Sequence, residues 1–591
     1  MKSILNYLCL ACLACLLAAA GCNDAFMDRF PRHSVTQEDF FKTVEDLKTY
    51  TNGFYAYLDI RLDDGVCDNV SVYGGSRSDL SQMIYGGLTP DNVSAGVWDW
   101  SAIRNVNYFL TYASGAEGPE EEINHYIGFG RLMRAYLYYE KVKMFGDVPW
   151  YDRPLTDADT EELYKTQDSR VFVVDKIMED LDFAVKNMQP AEDRTMFGVW
   201  AARTLQARIA LHEGTFRKYH GIEGADDFLK VAEEASGDVL ANGGFSLHSG
   251  SYQSLFNSQE LKDNSEMILF REHTAALSEF TAYNVLDLNW GLSRDLVDSY
   301  LMLDGTPFTS LPGNETMTFD KQFENRDLRL TQTSVYPGWI DIKFGVPYLC
   351  KPPYGGYGQI KFYPDTPEQC FYYACVSDIP LLRLGEVMLI YAEAKAELGT
   401  LTDEDLNNTV NLLRRRGGIE VPLTRESANG TIDPVLEQMY PNVSGANKGV
   451  ILEIRRERRV ELACEGFRYD DLMRWKCGEL MARPGEGMYV PALGAYDVTG
   501  DGVLDIAILN EASDKGPIAD LPEEVQNSLI IHALKDENGD ATFYLEHGDS
   551  GRIRFRQDRD GTRAWKDQYY YYPIPQEQIR LNPNLKQPST W

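Results

Sequence analysis

Apolar residues recur at helical spacing in two long blocks of this 591-residue chain, and this pattern constrains the fold more than any other feature. Side chains three, four and seven positions apart share one face of an α-helix, so such runs predict amphipathic helices. Successive helix pairs with small residues at their contacts are typical of a tetratricopeptide-like scaffold with about 34 residues per unit. The pattern predicts helices over 103–114, 120–145, 171–187, 199–213, 226–242, 384–398, 403–416 and 448–465.

Three stretches interrupt the helical blocks and are rich in Gly, Pro, Asp and aromatic residues. They cover about 59–101, 245–380 and 483–572, whereas the helical scaffold covers about 36–243 and 380–480. The predicted fold class is therefore mainly α, a helical-repeat scaffold with long loop-rich insertions and a few short strands. Loops held by a rigid scaffold are where binding residues usually lie.

The N-terminus predicts export. Lys2 is followed by an apolar run from Ile4 to Ala20, and Gly21-Cys22 then completes a small-residue cleavage site. This layout is typical of a secretory signal peptide over residues 1–21. A cysteine directly after the small residues indicates a bacterial lipobox, so we expect Cys22 to carry a lipid at the start of a single mature domain over 22–591. The alternative is a cleaved signal without a lipid.

The charge of the chain excludes some partners. The formal net charge is −33, with 90 acidic residues against 57 Lys and Arg. Nucleic-acid binding depends on neutralising phosphates with basic side chains, so this acidic excess opposes it. The same charge opposes adsorption to anionic lipids, which leaves the lipid on Cys22 as the expected membrane attachment.

Cysteine usage indicates no metal site. Six cysteines follow Cys22 in the chain, and they include no CxxC pair; with only eight histidines in the chain, no zinc spacing is present. Export makes a disulfide between Cys370 and Cys375 one option, and two reduced core thiols are the other.

Five segments, in order, resemble one protein family. They are 131–149 (from RLMRAYLYY to FGDVP), 200–211 (WAARTLQARIAL), 379–394 (IPLLRLGEVMLIYAEA), 454–475 (IRRERRVEL, then EGFRYDDLMRW) and 572–585 (YPIPQEQI, then NPNL). Together they span nearly the whole mature chain. They resemble the SusD/RagB-like nutrient-binding outer-membrane lipoproteins of Bacteroidetes.

This resemblance implies a function as well as a fold. It implies a tetratricopeptide-like protein, lipid-anchored at the outer membrane and exposed at the cell surface. Such a protein captures oligosaccharides over a TonB-dependent, SusC-like porin, releases them to the channel, and uses no cofactor or covalent chemistry. A peptide or another non-sugar ligand is the first alternative, and a surface glycoside hydrolase is the second.

The ligand contacts are expected among aromatic residues of the first two insertions, with polar neighbours for sugar hydroxyls. Flat aromatic faces stack on the C–H faces of sugars, and Tyr and Trp add a polar group. Each candidate could equally be a core or partner-contact residue. The candidates are Tyr73, Arg77, Asp91, Asn92, Trp98, Trp290, Trp339 and Tyr354.

The charged fourth segment has two interpretations. Four arginines between Arg455 and Arg459 could bind an anion, but helical spacing also pairs Glu453 with Arg456 and Arg458 with Glu461. We favour a salt-bridged framework. Arg383, Glu386 and Glu393 are expected to brace the same helices.

A calcium site is predicted in the third insertion. Asp497, Thr499, Asp501, Val503 and Asp505 occupy ligand positions 1, 3, 5, 7 and 9 of a calcium loop, and Gly502 occupies position 6. Ile508 stands where the bidentate glutamate belongs. The alternative is a plain Asp/Gly turn, and calcium would in any case stiffen the loop rather than take part in chemistry.

Catalysis is not indicated. The chain has no HExxH, GxSxG or P-loop motif. Carboxylate pairs are unavoidable with so many acidic residues, so none can be assigned as a glycosidase pair. The sequence predicts a binding protein rather than an enzyme.

Overall fold

The computed structural model describes residues 40–591 except 66, 72–77, 278–285, 287–289, 372 and 561–562. The predicted signal peptide, the predicted lipidation site Cys22, and the candidates Tyr73 and Arg77 lie outside the described residues. Within them, no helix combines the length and hydrophobicity needed to cross a membrane.

Helices make up 46% of the structure, which confirms the predicted mainly α class. The first half contains α1 (Val44–Thr51), α2 (Ser78–Ile84), α3 (Ser101–Tyr112), α4 (Glu120–Phe145), α5 (Thr160–Leu163), α6 (Arg170–Asn187), α7 (Val199–His220), α8 (Ala225–Asn242), α9 (Ser254–Asn257) and α10 (Arg294–Ser299). The second half contains α11 (Leu384–Leu398), α12 (Asp403–Asn408), α13 (Val410–Arg416), α14 (Arg425–Gly430), α15 (Pro434–Met439), α16 (Lys448–Glu461), α17 (Arg468–Arg474), α18 (Glu523–Ser528), α19 (Arg556–Asp560) and α20 (Gln576–Leu581).

The long helices begin and end where local chemistry favours it. α4 starts after Pro119 and has three glutamates in its first turn. Their negative charges interact favourably with the positive N-terminal end of the helix dipole. α7 carries three basic residues in its last turn and ends at Gly221 in the left-handed conformation, φ 74°. α4 packs against α3 and α6, α7 against α8, and α8 against α11, which builds the helical-repeat body.

In the part of the chain that the structure describes, short strands form four small sheets. The strands are β1 (Met267–Arg271), β2 (Ile340–Asp341), β3 (Val346–Pro347), β4 (Ile379–Arg383), β5 (Tyr489–Val490), β6 (Gly494–Tyr496), β7 (Ile506–Glu511), β8 (Ile530–Lys535), β9 (Phe543–Leu545) and β10 (Gly551–Phe555). β1 pairs antiparallel with β4, with Met267 opposite Arg383, and β2 pairs with β3. The other sheets have the orders β5-β10-β9 and β6-β7-β8, in which β7 and β8 are parallel.

Among the described residues, the buried hydrophobic side chains form two large cores and two smaller clusters. The main core joins the long helices to the C-terminal segment around Tyr569–Ile574. The second core is built from the insertions, with residues between Tyr252 and Cys370 packed against strands β5 to β10. Trp290 packs against both cores and therefore lies at their junction.

Several predicted helices match the structure closely, and the deviations have local causes. The predicted helices 120–145 and 384–398 are confirmed to the residue. The predicted 403–416 helix breaks at Thr409, whose φ −133° and ψ −92° are not helical. The predicted 199–213 helix runs on to His220, because the first left-handed glycine after it is Gly221.

The Cys370–Cys375 disulfide is not formed. The six described cysteines are all buried and none is in a disulfide. The Cys370 thiol lies 3.3 Å from the Thr366 carbonyl oxygen, and the Cys375 thiol lies 3.5 Å from the Ser377 hydroxyl. Both thiols act as small core groups with weak polar contacts.

Candidate ligand-binding surface

Two of the loop-rich insertions meet at Ser71. Its backbone N–H donates to the Gly291 carbonyl (2.8 Å), and its hydroxyl lies within hydrogen-bond distance of the Gly291 (3.0 Å) and Tyr354 (2.9 Å) carbonyl oxygens. Gly291 has no room for a side chain, since an added Cβ would stand 2.4 Å from the Tyr354 carbonyl oxygen. This close approach fixes where Trp290 and Tyr354 stand relative to each other.

The junction carries half-exposed aromatic rings, and we call Trp290, Tyr348, Lys351 and Tyr354 the junction platform. All four are partly exposed and line one shallow depression that encloses only about 10 Å³. The Lys351 ammonium lies 5.7 Å from the centroid of the Tyr348 ring. A ligand would therefore lie on this surface rather than inside a pocket, as a flat sugar ring stacked on aromatic faces does.

The platform is supported from below. Tyr348 packs edge-on against Trp339 with ring centroids 5.6 Å apart, and its backbone N–H donates to the Trp339 carbonyl (2.9 Å). Trp339 is only 7% exposed and also packs against Tyr363 in the second core. The structure thus brings the predicted residues Trp290 and Tyr354 together and adds Tyr348 and Lys351 to them. The predicted residues Tyr73 and Arg77 follow Ser71 in the sequence and lie outside the described residues.

Trp98 and Trp339 need correction as predicted ligand contacts. Trp98 is 7% exposed and packs against Phe145 at 4.7 Å, because the run from Trp98 into α3 joins the main core. Trp339 is buried below Tyr348 as described above. The alternation of aromatic and polar residues that suggested a surface role could not separate a core ring from an exposed one.

Asp91 and Asn92 lie in a turn rather than at the junction platform. The Asn92 side-chain oxygen accepts the Thr89 N–H (2.7 Å), and its amide donates to the Gly87 carbonyl (2.6 Å). Asp91 is exposed and stands 3.8 Å from Arg580 of α20. The Asn92 side chain is therefore committed to holding its own loop.

A second surface is roomier. A cleft of about 610 Å³, which we call the helix cleft, opens between α3, α5 and α20. Its aromatic groups are already engaged in part: Lys165 lies 4.9 Å from the Tyr151 ring centroid, and Lys141 lies 5.7 Å from that of Trp100. Arg153 in its wall pairs with Asp159 at 2.7 Å. The helix cleft is the competing location for a ligand.

The predicted calcium loop connects β6 to β7. The Asp497 carboxylate accepts the N–H groups of Gly500 (2.6 Å) and Gly502 (2.7 Å), and Asp505 accepts those of Val498 (2.8 Å) and Thr499 (3.0 Å). Asp501 likewise accepts the Val503 N–H. Among the described residues, no group of three or more His, Cys, Asp or Glu is placed to hold a metal ion. The geometry favours a self-capped turn, and calcium binding stays a prediction.

The arginine-rich segment forms the expected salt-bridged framework, although not with all the expected partners. Arg456 pairs with Glu453 at 3.4 Å, as helical spacing predicts. Arg458 pairs instead with Asp471 (2.8 Å), so its predicted pairing with Glu461 is wrong. Arg208 pairs with Glu386, and Arg474 with Glu393, across the helices that these residues brace.

Burial makes this framework electrostatically strong. Burial alone would raise the pKa of Glu461, but Arg416, Arg383 and Arg329 outweigh it and hold that pKa at about 2. Arg455 is fully buried among the rings of Tyr219, Tyr440 and Trp475, whose centroids are 4.4–5.1 Å away. A charge-lined cavity of about 140 Å³ lies within the framework, and its carboxylates are paired with cations rather than poised as an acid–base pair.

Comparison with known proteins shows which proteins this chain resembles. A sequence model of the SusD family matches residues 350–591. SusD-like protein P2 of Formosa agariphila is 24% identical over an alignment of 507 positions that covers 79% of this chain and 90% of that protein. A SusD-like protein of Bacteroides ovatus is 25% identical over 80% of this chain and 83% of its own length.

Solved structures share the fold. The crystal structure of a SusD-like carbohydrate-binding protein from Bacteroides fragilis has a TM-score of 0.67 and 20% identity, and the match covers 93% of this chain and all of that one. Another SusD-like protein from Bacteroides fragilis has a TM-score of 0.66 over 95% of this chain, at 19% identity. The chain is thus similar to SusD-like proteins over most of its length, and residues 350–591 match the SusD family model.

Proposed function

We propose that this protein is a surface lipoprotein that captures oligosaccharides on the junction platform and passes them to a TonB-dependent outer-membrane transporter. The observation that carries the proposal is the meeting of two insertions at Ser71, which sets Trp290, Tyr348 and Tyr354 side by side on the surface. Half-exposed aromatic faces with adjacent donors are the chemistry that sugar recognition needs.

Similarity to SusD-like proteins supports the ligand class. One similar structure is that of a carbohydrate-binding protein, and its chain is matched along its whole length. The delivery step and the transporter partner are proposed from the same similarity. The signal-like N-terminus and Cys22 support attachment at the outer membrane. The buried carboxylates described above are paired within the framework, so we propose no catalytic role for them.

The first prediction separates the two candidate surfaces. Replacing Trp290 by Ala should weaken oligosaccharide binding about fivefold, because stacking on one aromatic face is worth on the order of 1 kcal/mol. Trp100→Ala in the helix cleft is the matched control and should leave the affinity unchanged. Isothermal titration of both variants against a panel of oligosaccharides and peptides measures this, with circular dichroism to verify folding.

Three outcomes would contradict the proposal. Binding of peptides alone would replace the sugar by a peptide ligand. Loss of sugar binding in Trp100→Ala with full binding in Trp290→Ala would move the site to the helix cleft. Turnover of any polysaccharide by the pure protein would support the hydrolase alternative.

A further inference from the structure

We infer that the junction platform selects oligosaccharides that carry carboxylates, such as uronate- or sialate-containing chains. This inference rests on the proposed function and adds the chemical class of the ligand. Its basis is one lysine among the platform aromatics, together with a second cluster of exposed rings around a lysine on the adjoining hairpin.

Lys351 is a cation without a protein counter-ion. Its ammonium makes no hydrogen bond or ion pair with any described residue, although it is half-buried beside Tyr348. The buried cation Lys361, ten positions further along the chain, is neutralised by Glu465 at 2.7 Å. The half-buried Arg552 pairs with Glu486 at 2.5 Å. Lys351 differs from these two cations because no described carboxylate pairs with it.

The position of Lys351 suits a bound ligand. The residue directly precedes the short helical turn Pro352–Tyr354, so it sits between Tyr348 and Tyr354 along the chain. Its aliphatic stem can lie along aromatic surface while the ammonium stays at the solvent side. A sugar stacked on these rings would therefore place a ring substituent near a cation, and a carboxylate is the substituent that a bare ammonium binds best.

The adjoining hairpin repeats the arrangement. β2 and β3 lead from Trp339 to Tyr348, and at the tip Lys343 lies 5.4 Å from the Phe344 ring and 5.0 Å from the Phe371 ring. Phe344 is 67% exposed and Phe371 is 53% exposed. Ile340 and Val346 of the same hairpin are also exposed. Single exposed rings are ordinary, but a contiguous group of exposed apolar side chains is typical of an interaction site. The hairpin would extend the platform so that it follows a chain of several sugar units.

Long-range electrostatics do not oppose this specificity. The acidic excess of the protein repels an anionic chain at a distance, but salt screens that repulsion beyond about 8 Å at physiological ionic strength. The contact with Lys351 is shorter than that distance and is formed after stacking begins. The preference for acidic sugars should therefore be present at physiological ionic strength.

The test compares sugars that differ only in charge. The probes are oligogalacturonate, mannuronate and hyaluronan oligomers, each with its carboxyl-reduced neutral counterpart, and sialyllactose with lactose. We expect at least one acidic probe to bind about tenfold more tightly than its neutral partner in isothermal titration at physiological ionic strength, where the long-range repulsion is screened. Lys351→Gln should remove that difference, whereas Lys230→Gln, at an exposed lysine of α8, should preserve it.

The outcomes separate this inference from the proposed function. If neutral probes bind as tightly as acidic ones, or if Lys351→Gln leaves an acidic preference intact, the inference is wrong while sugar capture stands. If no sugar binds and peptides do, the proposed function itself is wrong. Since Lys351 is only half-buried and makes no internal ion pair, the variant should fold, which thermal melting can verify.

Discussion

At the scale of single residues, the buried ion pairs tolerate substitution least, because each buried charge needs its partner. Glu461 is fully buried and accepts hydrogen bonds from Arg329 (2.8 Å) and Arg383 (2.7 Å). Such groups are costly to desolvate, and they hold together only when each partner is present. The sequence predicted a framework here, yet it paired Arg458 with Glu461, because spacing along one helix reveals only local neighbours. The true partners of Glu461 come from residues 78 and 132 positions away.

Removing one charged group from this cluster should destabilise the fold strongly. Glu461→Gln should lower the free energy of unfolding by about 3–5 kcal/mol, since it leaves arginines buried without their counter-charge. Asp227→Asn is the matched control, because its ion pair with Lys230 is exposed and such pairs contribute about 0–1 kcal/mol. Chemical denaturation of the two variants measures the difference. Equal effects would show that the buried cluster does not carry the stability assigned to it.

The exposure of individual aromatic side chains is what the sequence could not predict about the ligand site. Trp290 and Tyr354 were predicted from composition, and the structure brings them together. Trp98 and Trp339 were predicted on the same grounds and are core residues. Exposure depends on packing between segments that are distant in the chain, and no local pattern carries that information. Lys351 could have been suspected only from its place beside Tyr348 and Tyr354.

At the scale of elements, helix contacts depend on small residues at specific points. Gly449 lies in the first turn of α16 and packs directly against α14. A Cβ added to it would stand 2.0 Å from the Ala428 carbonyl oxygen. No backbone atom can remain that close, so the two helices would have to separate. Sequence periodicity located α16 and its start correctly, because amphipathic spacing survives in any packing arrangement. It could not identify this contact, since the contact joins two different helices.

One substitution made at two sites tests this packing. Gly449→Ala should lower the free energy of unfolding by about 1–3 kcal/mol, since overlap outweighs the gain in helix propensity. Gly53→Ala should be neutral or slightly stabilising, because no atom lies within 4 Å of an added Cβ there. Thermal or chemical unfolding gives both values. A harmless Gly449→Ala would mean that α14 and α16 are packed more loosely than described.

At the scale of the whole molecule, the charge framework links stability to pH. Asp68 joins the first insertion to α17 through Arg468 (2.7 Å). Burial would raise the pKa of Asp68, but Arg459 and Arg468 hold it at about 2, below its ordinary value of 3.8. A carboxyl whose folded pKa is depressed stabilises the fold above the unfolded pKa, and this contribution is lost as pH falls through the folded pKa.

Acid should therefore lower the free energy of unfolding over a defined pH range. With Asp68 and Glu461 both near 2, the free energy of unfolding should fall between about pH 4.5 and pH 2, by roughly 2 kcal/mol for Asp68 alone at about 1.4 kcal/mol per pKa unit. Asp68→Asn should be less stable than the wild type at pH 7, and the gap should narrow toward pH 2. A gap that stays constant across this range would contradict the assigned pKa.

The fold and the similarity to SusD-like proteins could be predicted from sequence, whereas the ligand surface needed the structure. The ordered segments in 131–585 carried the resemblance, and the helical spacing carried the architecture. The platform arises where three separate stretches, around Ser71, Trp290 and Tyr354, come into contact. Its location therefore depends on long-range packing of the insertions rather than on any motif.

The most direct test of the central claim is a crystal structure of the mature protein with an oligosaccharide that it binds in solution. We expect electron density for a sugar ring stacked on Trp290 and Tyr354. If the sugar is acidic, its carboxylate should lie within about 3 Å of the Lys351 ammonium. Density confined to the helix cleft, or to any surface away from the junction platform, would contradict it.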